Sequence, residues 1–236
     1  MTSVEALINR QFMRWEREQL RRQEQEPPAA AVPPIITVSR QTGSRGSYFA
    51  SRLALALDYQ RIHREVIDAV CASSGYCRRI VESLDERYRS NLELLIESAL
   101  SGTGIDRSDF TRQLYRVVLS IARLGGVVLI GRGANFILGP RHGFHVRFIA
   151  PRERRVRNLV AYKGTTMIEA SEMIDLSDRR RREFVRKIFG AEIDDPSYYD
   201  MIINADCIDI EELVEAVAIA YRGKCSKLAN LGNDIP

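Results

Sequence analysis

Ile35-Ile36-Thr37-Val38-Ser39-Arg40-Gln41-Thr42-Gly43-Ser44-Arg45-Gly46-Ser47 is the stretch whose reading fixes the architecture of this chain. Its first five residues form a short, β-branched, apolar run of the kind buried parallel strands use. Residues 40–46 make a polar turn with two glycines, and Ser47 to Leu57 then read as a helix with Leu53, Ala54 and Leu57 facing inward. Strand, glycine-bearing turn and helix in that order aim backbone N–H groups and a helix N-terminus at a phosphate. Against the pattern G-x-x-x-x-G-K-[ST] the stretch departs: Arg40 stands at the first glycine, Arg45 at the second, Gly46 at the lysine and Ser47 at the final Ser/Thr. The physical requirement is looser than the pattern. Phosphoryl transfer needs donors around a phosphate, a cation near the transferred group and a hydroxyl for Mg²⁺. Gly43, Ser44, Gly46 and the Ser47 amide can supply the donors, and Arg45 or Arg40 the cation. A plain strand-to-helix turn is the alternative reading of this segment taken alone.

Downstream, a weak strand is expected around Tyr59–His63, and residues 64–123 read as mainly helical, interrupted at Ser101-Gly102-Thr103-Gly104. Val127-Val128-Leu129-Ile130 is a buried strand running straight into Gly131-Arg132-Gly133, and Phe144–Ile149 is another, with Pro151 placed to open the next helix. A charged helical stretch over 166–189, a strand at Met201-Ile202-Ile203 and a helix over Ile210–Tyr221 close the pattern. Strands alternating with helices imply a parallel α/β sheet with right-handed crossovers. Ligands of such sheets bind beyond the carboxyl ends of the strands. Residues 40–47, 131–133 and 204–206 all fall there.

Upstream, residues 3–25 read as an amphipathic helix with Val4, Ile8, Phe12, Trp15 and Leu20 on one stripe, and PPAAAVPP at 27–34 reads as an extended linker. This arm of about 34 residues is expected outside the core, docked on its own domain, on a second subunit or on a protein partner. At 236 residues and 45% hydrophobic content the chain can bury a sizeable core, which excludes disorder throughout. No apolar stretch reaches the roughly 18–20 residues of a membrane span, and the charged N-terminus lacks a signal peptide's apolar region, so a cytoplasmic protein is expected. Cys71, Cys77, Cys207 and Cys225 carry no CxxC pairing and no zinc-ligand spacing, and read as reduced structural thiols. His63, His142 and His145 read as structural for the same reason.

Charge sharpens the picture. Of 35 basic residues only Lys163, Lys187, Lys224 and Lys227 are lysines, and arginine is the better bidentate phosphate ligand. Residues 141–190 hold thirteen Arg/Lys against six Asp/Glu, a balance of +7 in a chain of net +4, so the remainder sums to −3. A solvated helix face is the ordinary use of such a run. Here two arginine-bearing helices joined by Lys163-Gly164-Thr165 would make a mobile clamp over polyphosphate. Nucleic-acid binding is the rival use, but no helix-turn-helix, RNA-recognition or zinc-finger signature accompanies it, and nucleic acid is not an expected partner.

The runs ITVSRQTGSRGSYFASRLALAL, VVLIGRGANFIL, HVRFIAPRERRVRNLVAYKG and SDRRRREFVRKIFGAEIDDPSYYDMIINAD, in that order over about residues 35–222, resemble the cytidylate kinase-like family. The resemblance implies an α/β fold of the P-loop NTPase type. Its features are a five-stranded parallel sheet flanked by helices, a helical monophosphate-binding insert at about 64–123 and an arginine-rich lid at about 152–189, with 223–236 as a tail. It implies transfer of the γ-phosphoryl group of ATP, with Mg²⁺, to a (deoxy)pyrimidine monophosphate, CMP first. Carried over by position, Gly43, Ser44, Arg45, Gly46 and Ser47 would surround the ATP phosphates, and Ser47 would hold Mg²⁺; the turn's own Arg40 and Arg155 of the arginine-bearing helix are expected beside them. Arg132, of a segment matching the family's GRD, would contact the acceptor phosphate. Asp178 and Arg181, at D-x-x-R spacing, would close the lid, and Arg45, Arg132 and Arg181 would be the catalytic cations. Three departures stand out: no P-loop lysine, Gly133 in place of the GRD aspartate, and His63 in place of an aspartate after the second strand. They motivate an alternative function, a nucleotide-binding module without catalysis that acts as sensor or scaffold through its N-terminal helix.

Overall fold

The computed structural model describes residues 33–230 apart from 83, 85, 103 and 104, and, ahead of that range, Met13 and Arg17. Five parallel strands, β1 (Ile36–Arg40), β2 (Gln60–His63), β3 (Val127–Ile130), β4 (Phe144–Ile149) and β5 (Met201–Asn204), lie in the order β2-β3-β1-β4-β5. Helix α1 (Gly46–Ala56) follows β1. Between β2 and β3 run α2 (Arg64–Ala72), α3 (Ser74–Glu82), α4 (Glu86–Leu100) and α5 (Asp109–Leu124). A short α6 (Ala134–Leu138) follows β3, α7 (Arg152–Lys163) and α8 (Met167–Phe189) separate β4 from β5, and α9 (Ile210–Asn230) ends the described chain.

The period-two alternation of the strands divides the core in two. Ile36 and Val38 of β1, Val128 and Ile130 of β3, and Phe144, Val146 and Phe148 of β4 pack on one face against Phe49 and Leu53 of α1 and Val214, Val217 and Tyr221 of α9. Phe49 stacks on Phe148 with ring centroids 4.7 Å apart. The opposite face is apolar under the helical insert, where Ile62, Val127 and Leu129 meet Ile67, Leu114 and Val118. On β1 and β4, however, that face carries Thr37, Ser39, His145 and Arg147, paired in register as Thr37↔His145 and Ser39↔Arg147. These four residues put a polar floor at the centre of an otherwise apolar sheet.

Burial obliges that floor to satisfy its own hydrogen bonds. His145 Nε2 donates to the Gly139 carbonyl at 2.8 Å, which fixes the neutral tautomer and leaves Nδ1 to accept from the Thr37 hydroxyl at 2.8 Å. Arg147, 5% exposed, donates through Nη1 to Ser39 Oγ at 2.8 Å and through Nη2 to Asp194 at 2.6 Å.

Helices α7 and α8 form a hairpin with a small core of its own, Val156, Leu159, Ala170 and Ile174. Gly164, at φ +67, ends α7, and a capping box between Thr166 and Glu169 starts α8. The sequence expectation closes the last helix at Tyr221, whereas α9 continues to Asn230. Lys224 supplies a reason, donating to the Pro140 carbonyl and to Asp200, so the extra turns are tied to the body of the fold. Of the N-terminal arm, Met13 and Arg17, both helical and exposed, and Pro33 and Pro34 at its end are described, with the Pro34 carbonyl accepting from the Tyr221 hydroxyl at 2.6 Å; the rest of the expected helix over 3–25, Trp15 included, lies outside the described residues.

Candidate active site

The turn after β1 is held by the helical hairpin above it. Arg155 donates through Nη1 to the Thr42 carbonyl at 3.3 Å and pairs with Asp178 at 2.5 Å, both side chains nearly buried. Asn158, one turn along α7, donates to the Gly43 carbonyl at 2.8 Å, and the Thr42 hydroxyl donates to Ser177 Oγ at 2.6 Å. Gly43 sits at φ +80, and a Cβ there would stand 2.5 Å from the Arg155 carbonyl, so only glycine lets the hairpin approach this closely. Within the turn, Ser44 donates to the Gln41 carbonyl and accepts from the Gly46 amide.

Gly46, the position of the lysine in the usual loop, has no room for a side chain: a Cβ would fall 2.6 Å from Arg40 Cβ and 3.1 Å from Phe148 Cβ. Arg40 takes the space instead. Its guanidinium lies over Gly131, where a Cβ would come within 2.5 Å of Nη1, and Nε is buried without a hydrogen-bond partner. Burial first, and then the charges of Arg181, Arg64 and Arg132, push Arg40 down to about 9. Arginine does not in practice surrender its proton in proteins, so the lowered value reflects burial and a local deficit of negative charge around this guanidinium.

That deficit surrounds a cavity of about 550 Å³ at the carboxyl ends of β1 and β3. Arg40, Arg64, Arg132, Arg180, Arg181 and Lys163 line it, and among the described residues no carboxylate does. Arg181 donates to the Arg40 carbonyl at 2.7 Å and is itself held down to about 10, chiefly by burial and against the opposing pull of Asp178. Arg132 is fixed from two sides, paired through Nε and Nη2 with Asp68 of α2 and lying 5.0 Å over the Phe184 ring. Gly131, Arg132 and Gly133 all have positive φ, of +84, +56 and +64. The non-glycine member of this left-handed turn is the one whose side chain reaches the cavity, as strained functional positions tend to do. Lining residues of α8 run from Met173 to Val185, about 18 Å at 1.5 Å rise per residue. Arg180 and Arg181 fall between Ser177 and the aromatic end at Phe184.

Among the sequence candidates, Arg40, Arg132 and Arg181 therefore meet on one cavity. Asp178 and Arg155 sit at its edge as the buried pair joining hairpin to turn. Gly43, Ser44, Arg45, Gly46 and Ser47 do not line the cavity. Arg45, at φ +66, turns outward with its guanidinium 5.3 Å from the Tyr48 ring centroid, and Ser47 is exposed on α1. Asp206 of the 204–206 segment binds Arg154 rather than the cavity. Sequence reasoning missed Arg64 and Asp68. The same rule that singled out 40–47 and 131–133 finds Arg64, the first residue beyond β2, and Asp68 stands four residues later on the same helix face. It missed Asn158 as well, one turn beyond Arg155.

Mg²⁺ prefers near-octahedral oxygen coordination and is usually held by one or two carboxylates together with substrate phosphates. The cavity wall offers the hydroxyls of Ser39, Thr42 and Ser177 and no carboxylate, and no cluster of three or more His, Cys, Asp or Glu exists among the described residues. These residues do not make a resident cation site.

Comparison with known proteins supplies the relatives. The profile of the Cytidylate kinase-like family matches residues 35–206. A cytidylate kinase of Ignicoccus hospitalis is 25% identical over 183 residues, covering 78% of this chain and 96% of that protein. A uronate isomerase of Corynebacterium glutamicum is 33% identical over 118 residues, half of this chain, and the match spans only 23% of that longer protein. The crystal structure of an uncharacterised Eubacterium ventriosum protein superposes with a TM-score of 0.64 at 17% identity, covering 81% of this chain and 99% of the other. No described helix is long and apolar enough to cross a membrane.

Proposed function

This chain belongs to the cytidylate kinase-like family, and from that premise we propose that it is an ATP-dependent nucleoside monophosphate kinase with a pyrimidine monophosphate, CMP among them, as acceptor. The observation that carries the reading is Arg40, a partly buried guanidinium whose Nε is buried and unpartnered, crowded by three other arginines on a cavity that no carboxylate lines among the described residues. Such a site is relieved by a polyanion and by little else.

Phosphoryl transfer asks for positioning and charge neutralisation rather than covalent chemistry. Arg132, held by Asp68, and Arg64 would take the acceptor phosphate. Arg40 and Arg181, joined through the Arg40 carbonyl, would neutralise the charge that develops between acceptor and donor. Arg180, Lys163, Thr42 and Ser177 would face the donor phosphates from the hairpin side, with ATP entering as its Mg²⁺ complex. The contacts of Arg155 and Asn158 to the turn would keep the hairpin seated and water out.

The test follows label from γ-labelled ATP into a nucleoside diphosphate. Arg132→Ala and Arg181→Ala should each lower kcat/KM by about a hundredfold, the usual loss when one charge-stabilising donor is removed. Unchanged activity in both variants would overturn the assignment. Nucleotide binding without any transfer would instead favour the non-catalytic module.

A further inference from the structure

The part of the cavity away from the guanidiniums is an apolar and aromatic wall. Phe136 and Phe184 provide its rings, with Val185 and Ile193 beside them. Phe136 is backed by Phe189 at 5.3 Å in a stacked arrangement and by Tyr198 at 4.7 Å, so its position is fixed. Phe184 is pinned by the Arg132 guanidinium. If the acceptor's phosphate goes to the arginines, its remaining flat, polarisable part meets these rings, which is how bases and aromatic side chains pair.

The polar groups on this wall are few. The Thr37 hydroxyl is committed to His145, and Ser39 Oγ is committed to Arg147. Asn135, 3% exposed on the first turn of α6, is the exception: its Nδ2 is buried with no hydrogen-bond partner of normal geometry and the Tyr199 hydroxyl as its neighbour. No carboxylate stands near it on the cavity, and none can be placed at the adjacent Gly133. A Cβ there would lie 2.1 Å from the Phe189 ring, at a φ of +64 that side chains rarely adopt.

A carboxylate and an amide read a base edge differently. An ionised carboxylate only accepts, so it pairs with an exocyclic amino group and repels a carbonyl. An amide carries two donors and an acceptor, and by turning over it serves either edge. We propose, resting on the kinase reading above, that this site does not select cytosine over uracil: Asn135 is the base-reading residue, and it takes the amino and the keto pyrimidine monophosphates alike. The ring wall sets the flatness of the acceptor and the amide its polar edge, and neither distinguishes the two bases.

The experiment measures kcat/KM for CMP and UMP with saturating Mg²⁺-ATP, for the full chain and for Asn135→Asp and Asn135→Leu. The expected ratio for the unaltered protein is below about twentyfold in either direction, because no buried group is left unpaired by either base. Asn135→Asp, nearly isosteric, should shift the ratio toward CMP by about tenfold or more, and Asn135→Leu should lower both values together. A ratio above about twentyfold in the unaltered protein, or one that Asn135→Asp leaves in place, overturns this inference while leaving the kinase reading intact. Diphosphate formation from neither substrate, nor from AMP or GMP, removes both.

Discussion

In the proposed reaction Arg40 is the side chain on which the most charge chemistry falls. The loop leaves no space for a lysine at Gly46, and in the proposed reaction the cation would come instead from the last residue of β1, folded back over Gly131. Holding a guanidinium there costs stability while the site is empty, since Arg181, Arg64 and Arg132 all oppose it. Arg40→Met keeps the packing and removes the charge. The unliganded variant should gain about 1 to 3 kcal/mol, in the manner of buried ions replaced by apolar groups. The upward shift in Tm that inorganic phosphate or ATP gives the unaltered protein should disappear with it. Thermal denaturation with and without phosphate checks both. A less stable variant, or one that keeps the phosphate-dependent shift, contradicts this role.

At the same scale the sequence was only partly readable. The rule that ligands gather at the carboxyl ends of strands located Arg40 and Arg132 by position. It could not tell Arg40 from Arg45, because the direction each side chain takes depends on contacts far away in sequence. Phe148 and Gly131 make the slot for Arg40, and the left-handed turn at Arg45 sends that residue toward Tyr48. Asn135 was invisible for a related reason: nothing local marks an amide that lines a cavity beside the Tyr199 hydroxyl.

The elements were more legible than the residues. Four of the five strands announce themselves as β-branched runs, and Gly164 with Thr166 and Glu169 mark the hairpin by ordinary capping chemistry. What the pattern does not disclose is how β1 and β4 meet. His145 reads in sequence as a structural histidine, but nothing local shows that it is buried inside β4 and bonded to Thr37 and to the Gly139 carbonyl. Burial pushes it from its ordinary 6.5 down to about 4. The folded state therefore refuses a proton that the unfolded state accepts below about 6.5. The stability this neutral histidine protects is complete above that value and is lost as pH falls toward 4. Each unit of difference corresponds to about 1.4 kcal/mol. Denaturant titrations between pH 7 and 4 should show the decline, and His145→Gln should flatten it. An equal decline in the variant would assign the effect to other groups.

For the whole molecule, one sheet serves two purposes. Its α1 and α9 face is a continuous apolar core, while its opposite face carries a polar floor at β1 and β4 beside the apolar seat of the insert. The hairpin of α7 and α8, with its small separate core, brings three cations of the arginine-rich segment, Lys163, Arg180 and Arg181, to the cavity at the carboxyl edge, while most of that segment's other arginines are exposed or paired with carboxylates. The central claim, that this arrangement moves a phosphoryl group, is tested most directly by incubating the full chain with Mg²⁺-ATP and CMP, dCMP, UMP, AMP or GMP, and identifying the products. The account predicts nucleoside diphosphate from the pyrimidine monophosphates, with ADP formed in equal amount. Intact nucleotide binding with no diphosphate from any of the five acceptors would contradict it.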